Sequence, residues 1–205
     1  MERAWIKTIS PLESTGDILG VYQQITGEND PAKIERRIRN NFIALSLRPN
    51  LMESSWNFMH ETSFKNQNSN LNKQEKDLID TIVSINNRCR FCTIGHAESA
   101  RGSNYPIAFT QQLKSDFTKL DISEKLKEAL KFAKKLTSNP EHIVDEDRQN
   151  LLHSGWSEED IIDIVHEIAL FNYMNRIVIG LGVQLHPFME KIEERDKEFL
   201  DTSNW

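Results

Sequence analysis

A chain of 205 residues with 38% hydrophobic and 27% charged residues, both signs mixed, has the material for one globular domain spanning 1–205. A net charge of −6 with no basic stripe speaks against nucleic acid or an anionic membrane as partner; Arg36, Arg37 and Arg39 are the one basic cluster and read as a solvated helix face. No run approaches the ~18 apolar residues of a bilayer span, and the opening Met1-Glu2-Arg3-Ala4-Trp5-Ile6 lacks the apolar stretch of a secretory leader, so a cytoplasmic location is expected.

Residues 1–15 read as an irregular part of an N-terminal arm covering 1–30. A first helix is expected from Asp17 to Thr26, ended near Gly27, and Asn29-Asp30-Pro31 places proline at the next helix start. Ile34, Ile38, Phe42 and Leu45 recur at helical spacing and predict one helix over 32–47, stopped at Arg48-Pro49. Asn50 is then expected to cap a helix burying Leu51, Trp56, Phe58 and Met59, and Lys65 to Asn72 is a polar connection.

From Lys73 the pattern is helical again, with Leu78, Ile79, Ile82, Val83 and Ile85 for burial. Asn86-Asn87 should interrupt it, because asparagine side chains compete for backbone hydrogen bonds. A new helix would then start near Cys89 and end at Gly102-Ser103-Asn104. Helices are expected at 107–117, 123–138 and 145–153, then a long one from Ser157 to about Leu181. A charged C-terminal helical tail, 187–205, carries Phe188, Ile192 and Phe199. No segment alternates with period two, so the fold class is all-α, with a core of about 35–185.

Both cysteines fall in Asn87-Arg88-Cys89-Arg90-Phe91-Cys92-Thr93-Ile94-Gly95-His96. On a helix, Cys89, Cys92 and His96 share one face, so the sulfurs can close a disulfide or act in turn on one substrate. A cysteine pair at this spacing in a reducing compartment reads as redox or metal chemistry rather than a structural staple. Zinc wants four ligands and no second pair exists, so no bound metal or cofactor is expected. Cys89 at a helix N-terminus should have the more acidic thiol. His96, four residues past Cys92, can act as its base or hold a water. A carboxylate from the preceding helix could complete a proton relay, with Asp77, Asp80 and Glu75 as candidates. The segment from Gln74 also recurs at Ser157, an offset of 83 residues, which suggests an internally duplicated helical core in which Asn172 and Asn175 stand where the first copy has Cys89 and Cys92.

At these residues the sequence resembles the AhpD-like alkylhydroperoxidases of the carboxymuconolactone decarboxylase superfamily: an acidic residue, here Asp77, eleven residues, then CxxCxxxH from Cys89 to His96. The resemblance extends through Phe42–Pro49 upstream and Phe171–Gly182 downstream. It implies an all-helical duplicated fold assembled as a homo-oligomer, trimer or hexamer. It implies a thiol peroxidase cycle in which Cys92 attacks the hydroperoxide, Cys89 resolves the product to a disulfide, and an external dithiol, lipoyl-type in some members, or a reductase protein restores the thiols. It thus reverses the order that the helix dipole alone suggests for the two cysteines. The family's relay acid is usually Glu; Asp77 is one methylene shorter, so a water, Glu75, His166 or Glu167 could substitute. His166 otherwise reads as an interior histidine. Competing readings are a lactone decarboxylase on the same fold, which does not need the cysteine pair, and a non-enzymatic redox sensor.

Overall fold

The computed structural model describes residues 2–65, 69–102 and 106–196, apart from the Ile107 side chain. Among them there is no strand. The helices are α1 (Gly16–Thr26), α2 (Pro31–Arg37), α3 (Asn40–Ile43), α4 (Pro49–Met59), α5 (Lys73–Asn86), α6 (Arg90–Arg101), α7 (Ile107–Asp116), α8 (Glu124–Ser138), α9 (Asp145–His153), α10 (Glu158–Gly180) and α11 (Pro187–Arg195). A π-helical turn, His60–Lys65, extends α4.

The core is built around α5, which is buried continuously from Lys76 to Ser84 and packs against α6, α8 and α10. Leu78, Ile79, Ile82 and Val83 meet Ile164, Ile168 and Phe171 of α10 and Ala129, Leu130 and Ala133 of α8 in one apolar cluster. Burying a Leu or Ile side chain stabilises by roughly 1.5–3 kcal/mol, and helix interiors alone would not hold segments of this length together.

Two differences from the expected elements matter for the site. The single helix expected over 32–47 is split, because the backbone is extended at Ile38 (φ −64°, ψ 141°) and Arg39 (φ −91°, ψ 147°). Tertiary bonds replace the helical ones: the Asn40 N–H donates to His186 Nε2 at 2.9 Å and its side-chain amide to the Gln184 carbonyl at 2.9 Å. The cap of α4 is Arg48, with Pro49 at the first helical position, rather than Asn50. The polar connection begins later than expected, since Lys65 closes the π-helical turn; residues 66–68, 103–105 and the tail beyond 196, including Phe199, lie outside the described residues.

The duplication is visible in the helix starts. Asn72 caps α5 with Glu75 reaching back, and Ser157 caps α10 with Asp160 doing the same. These caps are 85 residues apart (157 − 72), so they set a register two residues from the offset of 83. In it Ile79 matches Ile164, Val83 matches Ile168 and Asn87 matches Asn172. The chain breaks after Asn87 in the first unit, whereas α10 runs on unbroken for 23 residues. Ser157→Ala should cost about 1 kcal/mol through loss of the cap, read as a lower urea midpoint with an unchanged slope.

The N-terminal arm is pinned across the end of α10. The Trp5 N–H donates to the Leu181 carbonyl at 2.9 Å, and the Gln184 N–H to the Arg3 carbonyl at 2.9 Å. The Trp5 ring lies directly on Gly182, whose φ of +60° and lack of Cβ permit that approach. No helix among the described residues is long and apolar enough to cross a membrane.

Candidate active site

The turn between α5 and α6 sets the cysteines. Arg88 takes a left-handed conformation (φ 59°), and Cys89 follows as the N-cap of α6, its N–H donating to the Ser84 carbonyl at 2.9 Å. A non-glycine residue at positive φ is strained, and the surroundings hold it there. The Asn87 amide donates to Asn172 Oδ1 and Asn175 Oδ1, both at 3.0 Å, while the Asn175 amide donates to Ser84 Oγ at 3.1 Å. The two asparagines of α10 therefore latch the turn that presents the cysteines, rather than standing as their counterparts.

Cys89 and Cys92 are paired as a disulfide, with Cα atoms 5.4 Å apart. Cys89 is fully buried, and Cys92 is 5% exposed. Cys92 lines a cavity of about 610 Å³ that Cys89 does not reach. Phe42, Trp56, Phe64, Phe91 and Phe171 wall it, with Met189 and Ile192 of α11 over its α6 side. Ion pairs tie α11 down: Arg90 to Glu193, and Arg195 to Glu98 at 2.7 Å. The paired arginines hold the Glu98 carboxyl down at about 2 against the upward push of its partial burial.

His96 is one turn beyond Cys92, its ring edge-on to Phe171 with centroids 4.3 Å apart. Its Nδ1 lies 3.2 Å from Asp77 Oδ1 and 3.3 Å from Asp80 Oδ2. Asp77 also accepts from Lys73 and, at 2.6 Å, from the Ser99 hydroxyl. Burial pushes the Asp77 pKa up, but His96, Lys73 and Ser99 outweigh it and hold the carboxyl below its ordinary range. With Asp77 ionised, Nδ1–H is the favoured tautomer and Nε2 is the basic nitrogen. The shorter side chain of Asp77 thus reaches His96 without a bridging water.

Asp80 behaves in the opposite way. Burial first, then the negative charges of Glu167 and Asp77, push its carboxyl well above the ordinary range. Glu167 of α10 is also raised, chiefly by burial, although it accepts from Ser63 Oγ at 2.6 Å and lies near Lys76. Asp80 Oδ1 and Glu167 Oε2 are both buried without a conventional partner. Two adjacent buried carboxylates do not both ionise, and a proton kept on Asp80 would give Glu167 a donor. Asp77, Asp80 and His96 are the group among the described residues whose ligand atoms lie close enough, within 4.8 Å, to hold an ion. Within this group Lys73 pairs with Asp77.

Of the other candidates, Glu75 is spent in the α5 cap. His166 is not interior: it is exposed on α10, with its ring 6.3 Å from Phe58. Arg39 is not part of a helical face. It lies at the cavity rim with its guanidinium 4.7 Å from the Phe188 ring centroid. His186, stacked on Phe188, is held neutral down to about 4 by burial and by the charges of Arg39 and Arg3. Glu167 carried a sequence signal of its own, a carboxylate inside the apolar run Ile-Val-His-Glu-Ile-Ala-Leu-Phe.

The chain superposes on solved structures with this arrangement of helices. A peroxidase-related alkylhydroperoxidase AhpD core protein from Ralstonia eutropha JMP134 matches with a TM-score of 0.78 at 20% identity, covering 92% of this chain and 95% of that one. A peroxidase-related protein from Silicibacter sp. TM1040 gives the same values. A debrominase solved in complex with 2,3,4-tribromopyrrole matches at 0.67 and 18% identity, over 87% of this chain and 89% of its own. No protein-family model matches the sequence, and neither does any curated protein. The chain has the AhpD-like fold.

Proposed function

We propose that the protein is a thiol-dependent organic hydroperoxidase working through Cys92 and Cys89. The observation carrying this reading is that Cys92, and not Cys89, opens on an apolar cavity one helical turn from a carboxylate-bound histidine. In the reduced protein the Cys92 thiolate, its proton taken up through His96, attacks one peroxide oxygen. The O–O bond breaks, leaving Cys92 as sulfenic acid, and the departing alkoxide takes the proton back to become an alcohol. The Cys89 sulfur then attacks the sulfenic sulfur, the S–O bond breaks and water leaves, closing the disulfide. An external dithiol of the lipoyl type, free or on a reductase protein, restores both thiols by exchange and is itself oxidised. The chemistry needs no bound metal or cofactor; a cytoplasmic setting and a homo-oligomer, trimer or hexamer, belong to the same proposal.

The test is consumption of cumene hydroperoxide with dihydrolipoamide as the sole reductant. Catalytic loss of peroxide, with one lipoamide formed per peroxide, is expected; no consumption by fully reduced protein would sink the reading. The debrominase neighbour motivates a second use of the same thiols, reductive removal of halogen from an aromatic ring. Bromide release from tribromopyrrole without peroxide turnover selects that alternative.

A further inference from the structure

The cavity carries a polar feature that the thiol cycle does not use. Four cationic side chains line it: Arg37, Arg39, Lys73 and Lys76. Arg37 is paired with Glu28 at 2.5 Å, Lys73 with Asp77, and Lys76 donates to the Thr62 carbonyl at 2.8 Å. Among the described residues no carboxylate pairs with Arg39, whose guanidinium is held only by the face of Phe188.

The surroundings define what such a ligand looks like. From Arg39 a row of rings leads back to the cysteines: Phe188, then His186 at 5.5 Å between centroids, then Phe91 at 6.2 Å, the residue before Cys92. His186 is neutral, so Arg39 is the charge at this end of the row. Away from the Asp77, Asp80 and His96 cluster the wall is mostly apolar, with Phe42, Trp56, Phe171 and Val178, and about 610 Å³ falls within the usual size of small-molecule pockets. A guanidinium, with its planar fork of N–H donors, is suited to recognise a carboxylate.

We propose that Arg39 forms a head-group subsite, and that the substrate is an amphipathic hydroperoxide whose carbon chain ends in a carboxylate, such as a fatty-acid hydroperoxide. This rests on the hydroperoxidase reading for its chemistry but not for its binding. Arg39 fixes the carboxylate at the rim, the apolar wall takes the chain, and the peroxide group is delivered to Cys92. Because Arg39 is exposed, the attraction is screened by salt.

The experiment compares linoleic acid hydroperoxide with its methyl ester, which keeps the chain and the peroxide but loses the charge. The wild-type protein should prefer the acid in kcat/KM by about tenfold to a hundredfold, the usual worth of a charge-assisted hydrogen-bonded pair. Raising the salt concentration should shrink the preference. Arg39→Gln should bring the ratio close to one, with Arg39→Lys restoring part of it. Equal use of acid and ester by wild type, or a ratio unmoved by Arg39→Gln, overturns the proposal. Calorimetric binding of dodecanoate against methyl dodecanoate to the disulfide form separates this from the chemistry. Arg39-dependent binding of dodecanoate supports the subsite even where no peroxide is turned over. Cumene hydroperoxide turnover with no Arg39-dependent dodecanoate binding overturns the subsite while leaving the hydroperoxidase reading intact.

Discussion

Cys92→Ser should lower hydroperoxide turnover on the order of a thousandfold or more, while Cys89→Ser should stop the enzyme only after one turnover. The asymmetry follows from access and order of events. Cys92 lines the cavity and is the sulfur a peroxide can approach, whereas Cys89 is fully buried at the N-cap of α6. Removing the attacking group removes the bond-making step itself, and losses of that kind are the largest seen in enzyme variants. Removing Cys89 leaves that first step in place, so reduced Cys89→Ser should consume one equivalent of peroxide in a burst and then hold a sulfenic acid on Cys92. Dimedone trapping followed by mass spectrometry reads that adduct. A burst retained by Cys92→Ser and absent from Cys89→Ser would exchange the roles of the two sulfurs. That is the outcome expected from helix-dipole activation of Cys89 alone. The competing influence is His96, which is held by Asp77 and stands one turn from Cys92.

Much of this arrangement was legible from residue spacing. The interruption at Asn86-Asn87, the start of a helix at Cys89, the shared face of Cys92 and His96 and the long helix after Ser157 all follow from local rules of capping and periodicity. Asp77 was legible as a candidate acid, although its direct bond to His96 depends on how closely α5 and α6 approach. The split of the helix expected over 32–47 was not legible, because Ile34, Ile38, Phe42 and Leu45 keep helical spacing across it. What breaks it is non-local: Asn40 bonds to Gln184 and His186, more than 140 residues away. The same break moves Arg39 from a helical surface to the cavity rim, so its position depends on contacts that no local window contains. Glu167 stood out as a charge in an apolar run, but its partner on α5 was fixed only by packing of the two helices. The asparagines of α10 were visible as a pattern and misplaced by two residues in register, and their use as a latch on Asn87 is likewise a product of helix packing.

Asp80→Asn should leave the protein folded and make it more stable than wild type at neutral pH, whereas Asp80→Ala should destabilise it by about 2–4 kcal/mol. The carboxamide is isosteric with a protonated aspartic acid and can donate to Glu167 as that acid does, so the pairing across α5 and α10 is kept. Alanine leaves the buried Glu167 oxygen with no donor and opens a gap beside His96. The pH dependence distinguishes this from a generic packing effect. The folded-state pKa of Asp80 is raised, by burial and by the charges of Glu167 and Asp77. The folded protein therefore binds more protons than the unfolded chain between the ordinary aspartate value, ~3.9, and the raised one. Stability from this group falls as pH climbs through that window. Asp77 has the opposite sign, its depressed pKa adding stability that is lost on acidification. Urea unfolding from pH 4 to pH 8 should show the advantage of Asp80→Asn growing with pH. Glu167→Gln removes the charge that repels ionised Asp80, so the Asp80 titration and the fall in stability should move to lower pH. Infrared difference spectra of the wild-type protein should contain a protonated carboxyl band at neutral pH that Asp80→Asn lacks. A wild-type stability curve parallel to that of Asp80→Asn, with no such band, would mean that Asp80 is ionised and the two buried oxygens are satisfied in some other way.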